Sequence, residues 1–389
     1  MNALIAGYAR TPFARFNGAL ATVSATALGA HAAAAALGRA GIDAGEVQRV
    51  FAGHVLQAGA GQNPARQSAV GAGIGFHVPA LTLNAVCLSG TEAVVAGARM
   101  IVAGEADVVV AVGQESMSQA PHVQRARAGT KHGAIEMLDT LEFDGLTDAF
   151  EARSMGSSTE EGNTELGIGR AEQDAFSARS HQLAAAAADF HAAEIAPFTI
   201  TSRRGDTVFS ADDGVRAETT VESLGRLRPA FSRDGTITAG NASQITDGAA
   251  ALVLVSKAAA QRLGVTPLAE IVSHALVAGP DVRLHEQPAN AILAALDGTG
   301  LAAADLRAVE INEAFAAVGV RSTAKLGIDP GIVNTKGGAI ALGHPIGASG
   351  ARIVGTLARQ LAELGTGAVG AAGICGGGGQ GSAVILRAL

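Results

Sequence analysis

The sequence predicts an α/β fold built from two similar halves, with a polar segment inserted between them. Three observations carry this. Strand-like and helix-like stretches alternate along most of the chain. Part of their order recurs after about 260 residues. Residues 118 to about 245 have no counterpart in the second half and are richer in charge and polar loops.

The elements follow in order. "ALIAG" (3–7) is a short apolar strand, and the alanine-rich stretch 24–40 is a helix. "VQRVFAGHVL" (47–56) reads as a strand. Asn63 caps a helix that has Pro64 at its first position. "LTLNAV" (81–86) is a strand, 88–103 a helix and "ADVVVAVG" (106–113) a buried strand. One long helix is expected at 170–193. Late in the chain come a strand end with Asn312 and Glu313, a helix at 348–363, a strand at 367–374 and a final strand from Gln380.

The repeat is close in register. A shift of 260 carries Ser89, Gly90, Ala98, Arg99, Val109, Ala111 and Gly113 onto Ser349, Gly350, Ala358, Arg359, Val369, Ala371 and Gly373. A shift of 259 carries Gly41 and Val50 onto Gly300 and Val309. Two such halves would pack about a pseudo-twofold axis with a site between them. The expected division is 1–117 with 246–263 as the first half, 118–245 as a loop domain and 264–389 as the second half.

Composition narrows the function. The 389 residues are 48% hydrophobic but only 3% aromatic, with no Trp, so the core must be built from small side chains. The formal net charge is −7 with no basic run, which argues against nucleic acid as the main partner. No apolar run reaches membrane-spanning length and no signal peptide is expected, so the cytoplasm is the expected location. Two cysteines make no disulfide framework, and each needs its own explanation.

Cys87, in "NAVCLSG", falls between a strand and a helix. A helix N-terminus would lower a thiol's pKa, although a lone Cys is also commonly a small core residue. His344, in "GGAIALGHPIGASG", sits between glycine turns before its helix. By the repeat, that helix start and the one after Cys87 face each other, which would pair a thiol with an imidazole base. Cys375 precedes four glycines in "CGGGGQG". The strand that follows argues against a loose tail, and the lack of a following helix argues against a phosphate loop. A tight backbone pocket lined by N–H donors fits better.

These blocks, with "GQNPARQ" (61–67), "DGLTDAF" (144–150), "LRPAF" (227–231), "GNAS" (240–243) and "INEAF" (311–315), resemble the thiolases, of the acetyl-CoA C-acetyltransferase type, over nearly the whole chain. The resemblance implies a five-layer αβαβα thiolase fold plus a loop domain. It implies Cys87 as the acyl-accepting nucleophile, His344 as its activator and Cys375 as the acid/base that handles the substrate α-proton. Asn312 would hold a water for the enolate, and the N–H groups of Cys87 and Gly377 would hold the tetrahedral oxyanion. Gly337, Gly338 and the four glycines would let the backbone approach the thioester. Ser243, Arg216, Phe315 and Met155 would contact coenzyme A. No metal and no permanently bound cofactor is implied, since coenzyme A and acyl-CoA are substrates.

The chain departs from the family pattern at Ser154, Leu88, Gln244, Thr246 and the segment 277–291, all expected to touch the substrate pocket. The block 129–150 resembles a tetramerisation loop, so a homotetramer is expected, with a dimer as the fallback. The expected reaction is condensation of two acetyl-CoA to acetoacetyl-CoA or its reversal by thiolysis. The alternatives are a degradative enzyme for longer 3-ketoacyl chains and a catalytically silent lipid-binding relative.

Overall fold

The computed structural model describes residues 3–129, 131–203 and 205–389. The first half carries strands β1 (Leu4–Arg10), β2 (Arg49–Gly53), β3 (Ala80–Leu83), β4 (Val108–Ser116) and β5 (Thr246–Val255). The second carries β6 (Ala269–Ala278), β7 (Ala308–Ile311), β8 (Val369–Gly376) and β9 (Gln380–Ala388). Their orders are β3-β2-β4-β5-β1 and β7-β8-β9-β6. In the first sheet β2 pairs in parallel with both β3 and β4, in the second β7 pairs in parallel with β8, and the last strand of each returns antiparallel. An isolated parallel bridge, Val309 to Val333, stands where β3 stands in the first sheet. Two residue pairs between β1 and β6 join the sheets at their edges.

Side-chain alternation along these strands builds the layers. In β4, Val109 and Ala111 face one apolar cluster, while Val108, Val110 and Val112 face another. In β9, Val384 and Leu386 face the first of these clusters, and Ala383 and Ile385 face a third. The shared cluster contains helices α3 (Ser89–Val102) and α10 (Ser349–Leu364), through Val94, Ile101, Ile353 and Leu357. The second cluster lies under α1 (Ala25–Ala40) and α2 (Pro64–Gly71). The third lies under α8 (Gln287–Leu296) and reaches Leu326 of α9 (Ala316–Leu326). The result is helix, sheet, paired helices, sheet, helix.

The two central helices meet backbone to backbone at their starts. A Cβ on Gly90 would lie 2.6 Å from the Ala351 nitrogen, and one on Gly350 would lie 2.3 Å from the Thr91 nitrogen. Glycine is required at both positions for this approach, so the repeat partners Gly90 and Gly350 set the crossing.

The inserted region carries α4 (Met155–Leu166), α5 (Arg170–Ala186) and α6 (Ala188–Glu194). The single helix expected at 170–193 is therefore two, broken at Ala187. The second piece brings Glu194 to the fully buried Arg10 of β1, with Nε to Oε2 at 3.0 Å. Asp212 completes the pairing at 2.7 Å, so buried charge ties the insertion to the first sheet. Among the described residues no helix is long and apolar enough to cross a membrane.

Candidate active site

Cys87 sits on a tight loop between β3 and α3. Asn84 Oδ1 accepts the Val86 N–H at 3.0 Å, and Val86 is held at φ 51°, a conformation that a β-branched residue rarely adopts. His344 follows Gly343 at φ 107° and precedes α10. Cys375 lies near the end of β8, opposite Gly381 of β9. The glycine run between them is a hairpin turn, with Gly378 and Gly379 at φ 76° and 71°. Added Cβ atoms would meet Leu88 at 2.8 Å from Gly376 and the Asp281 carbonyl at 1.9 Å from Gly379. At Gly377 the nearest atom would be a Val86 methyl at 3.5 Å, ordinary contact. The turn needs glycine at its flanks, while Gly377 keeps the cavity wall thin.

These loops close on one small cavity of about 70 Å³ lined by Cys87, His344, Cys375 and Gly377. At about 10–15 Å³ per water-sized probe, this is room for a handful of atoms. Met155, Ser243, Phe315 and His344 also line a larger, mainly apolar cavity of about 440 Å³ that continues from it. Phe231 joins that wall, edge-on to Phe315 at 6.2 Å, and reaches it across Gly156, where a Cβ would strike its ring. On another side, Val86, Gly145, Met155 and Gly377 are shared with a cavity of about 750 Å³.

Two buried carboxylates hold the loops. Glu115 accepts from the N–H groups of Val55, Leu56 and Gly347, at 3.0 to 3.2 Å, and so ties the two halves together beside the cavity. Burial pushes its pKa up to about 8. Glu313 accepts from Ser180 Oγ, Asn334 Nδ2 and the Ile340 N–H.

Burial also decides the protonation of the site. It pushes the Cys87 thiol up to about 12, against the opposing hydrogen bonds from the N–H of Gly377 and its own N–H. The lowering expected from the helix start is not what the fold produces. The Leu88 and Ser89 N–H groups are spent on the Ala85 and Val86 carbonyls within the loop, and the cavity walls are apolar. Cys375 is raised further, by burial and then by the neighbouring Cys87. His344 is pushed down to about 3 by burial and then by the Arg352 charge. The resting set is two thiols and a neutral imidazole.

Other expectations shift. Asn312 is buried beside His344, its Nδ2 at 3.5 Å from both ring nitrogens, and its Oδ1 has no hydrogen-bond partner among the described residues. Arg216 is exposed and lies outside the residues lining these cavities. Leu88 points into the core between the sheets, away from the cavity. Thr246 is buried in β5 against Gly343. Gly337 and Gly338 allow close packing on Ser180, Ala184 and Glu313, not approach to the cavity. Ser154 lines the larger cavity and caps α4, accepting the Ser157 N–H, and Gln244 lines the same cavity. From the divergent 277–291 segment, Leu284 enters the inner cavity wall. Sequence reasoning missed Leu284 and Ile346 as walls and Glu115 as an anchor, because no local pattern marks them. Among the described residues no cluster of His, Cys, Asp and Glu is placed to hold a metal ion.

A duplicated α/β fold with two thiols and an imidazole where its central helices meet is a frame suited to cysteine-dependent acyl transfer. The comparisons with known proteins agree. A family profile described as "Thiolase, N-terminal domain" matches residues 3–258, and one described as "Thiolase, C-terminal domain" matches 265–388. A protein of Mycolicibacterium smegmatis named "Probable acetyl-CoA acetyltransferase" is 53% identical over 99% of this chain and 100% of its own length. One of the same name from Mycobacterium tuberculosis is 53% identical over 99% of this chain and 98% of its own. The "Acetyl-CoA acetyltransferase" of Shinella zoogloeoides is 46% identical over 99% of both. The chain belongs to the thiolase family.

Proposed function

We propose that the chain is an acyltransferase that condenses two acetyl-CoA into acetoacetyl-CoA and CoA, and runs the reverse thiolysis. The observation that carries this is the closure of Cys87, Cys375, His344 and the Gly377 N–H on one cavity at the end of an apolar channel. Cys87 Sγ attacks the thioester carbonyl as its proton passes to His344. The N–H groups of Cys87 and Gly377 stabilise the tetrahedral oxyanion. The carbon–sulfur bond to CoA breaks, and CoA leaves with the proton of Cys375. The acyl-enzyme then holds a Cys375 thiolate and a His344 imidazolium. Cys375 takes the α-proton of the second acetyl-CoA. The enolate oxygen accepts a hydrogen bond from His344 and from a water held by Asn312. Its carbon attacks acyl-Cys87, and Cys87 leaves with the proton returned by His344. The thiol pKa values suit this scheme, because neither cysteine is charged until substrate arrives. Ser243, Phe315 and Met155 would line the pantetheine arm. The test is mass spectrometry of the chain mixed with acetyl-CoA. An acetyl group on Cys87 is expected, and a chain without it would be a silent relative.

A second reading, thiolysis of longer 3-ketoacyl-CoA, is favoured by the cavity of about 750 Å³ that reaches Gly377 and Val86 away from the channel. An acyl chain extending past the reacting carbon would have space there. A higher kcat/KM for C8 than for acetoacetyl-CoA would reverse the order of the two readings.

The inserted region 118–245 would serve coenzyme A binding and assembly into a tetramer. Exposed Ile135, Met137 and Phe143 on the 129–150 block, together with β3, which ends the sheet with no further strand beside it among the described residues and exposes Leu81, support contact with further copies of the chain. Sedimentation showing a monomer would refute this. A cytoplasmic location suits a mechanism that needs two reduced thiols.

A further inference from the structure

We infer that Ser349 is the positioning residue that fixes the tautomer of His344, and that Pro345 frees it to do so. The inference rests on the acyl-transfer reading of the site. His344 Nδ1 lies 2.6 Å from Ser349 Oγ, and both residues are buried. The hydroxyl has one proton, and the Pro345 carbonyl at 3.1 Å can only accept it. With the proton placed there, Ser349 accepts from Nδ1–H, and the ring's lone pair is on Nε2. Burial holds this imidazole neutral, so the tautomer matters for the transfer. Asn312 Nδ2, at 3.5 Å from each ring nitrogen, favours neither. Arg352 is the charge that bears on the ring and disfavours the imidazolium in either tautomer.

The duplicated half supplies the control. Ser89 precedes Ser349 by 260 residues and opens α3 as Ser349 opens α10. Its hydroxyl also donates to a carbonyl of the preceding turn, that of Val86 at 2.6 Å. Its acceptor side is occupied by the Ala85 N–H at 2.9 Å. The residue equivalent to Ala85 is Pro345, which has no N–H. The same serine in the same turn thus has its acceptor side met by a backbone N–H only in the first half, and in the second half His344 takes that place.

The test measures acetylation of Cys87 by acetyl-CoA in rapid quench, with KM, Tm and a pH profile, for the oligomer as isolated. Ser349→Ala is expected to slow acetylation on the order of 10- to 100-fold with little change in KM, by analogy with metal-bound histidines that lose an orienting partner. Ser349→Thr should restore the rate to within about threefold of wild type, because the hydroxyl is retained. Pro345→Ala removes no side chain from the cavity wall but returns a competing N–H. It should slow acetylation, and Ser349→Ala should then add little to it. Equal rates in wild type and Ser349→Ala would overturn the assignment. So would a Pro345→Ala enzyme of wild-type rate, or a loss in Ser349→Ala that tracks a fallen Tm and is not rescued by threonine. Wild type without any acetyl adduct would sink the acyl-transfer reading itself, a result separable from these.

Discussion

The two halves use the same strand–turn–helix unit to opposite chemical ends. In the first, the turn before α3 presents a thiol, and its serine is absorbed in backbone hydrogen bonds. In the second, the turn before α10 presents an imidazole, and the matching serine turns to the side chain. The surroundings differ as well. The Cys87 loop leaves an edge strand with exposed Leu81 and Asn84, while the loop from Gly343 to α10 is wholly buried. Duplication supplied two helix starts pressed together. In the proposed mechanism, a proline and a histidine at two successive positions make one of them a base.

The strongest break in that comparison is loss of the proposed nucleophile. Cys87→Ala should abolish acyl-enzyme and lower turnover by at least about 10⁴-fold, read as absence of adduct and of thiolysis. Cys375→Ala should separate the two steps. It should still form acetyl-Cys87 in a single turnover, while condensation and thiolysis fall about 10²- to 10⁴-fold. If it could not acylate at all, the division of roles would be wrong. Next in size is the contact of the two helix starts. Gly90→Ala and Gly350→Ala should each destabilise by about 1–3 kcal/mol through backbone overlap. Because they crowd the same crossing, the double variant should lose less than the sum, measured by urea unfolding. The smallest effects concern pH and Gly377. With His344 held down to about 3, acetylation should change less than about twofold between pH 7.5 and 5.5. A base of ordinary pKa near 6.5 would be about nine-tenths protonated at the lower pH. Gly377→Ala should fold normally, since its Cβ would make ordinary contact, whereas Gly377→Val should lower kcat before Tm.

Much of this was legible in the sequence, and particular residues mark where legibility ended. Pro64, Ala25–Ala40 and the strand from Gln380 followed from caps, propensity and alternation, which act over a few residues. Cys87 and His344 could be paired because the repeat predicted that two helix starts would face each other, while Cys375 was read from its glycine run and the family resemblance. Leu88 was expected at the substrate pocket from its place beside the nucleophile. One step along a turn reverses a side chain's direction, and it lies in the core. Arg216 was placed by the resemblance and its spacing from Leu227, and the fold leaves it exposed, outside the cavity walls.

By itself the sequence determined the periodicities, the duplicated order and the chemical kinds of group available, because these depend on neighbours along the chain. Only the tertiary structure decided how those groups are charged. The wall around Cys87 is assembled from Met155, Phe315, Leu284 and Gly377, segments far apart in the chain. Desolvation is a sum over such distant neighbours. It turned an expected thiolate into a thiol that needs a neutral imidazole beside it.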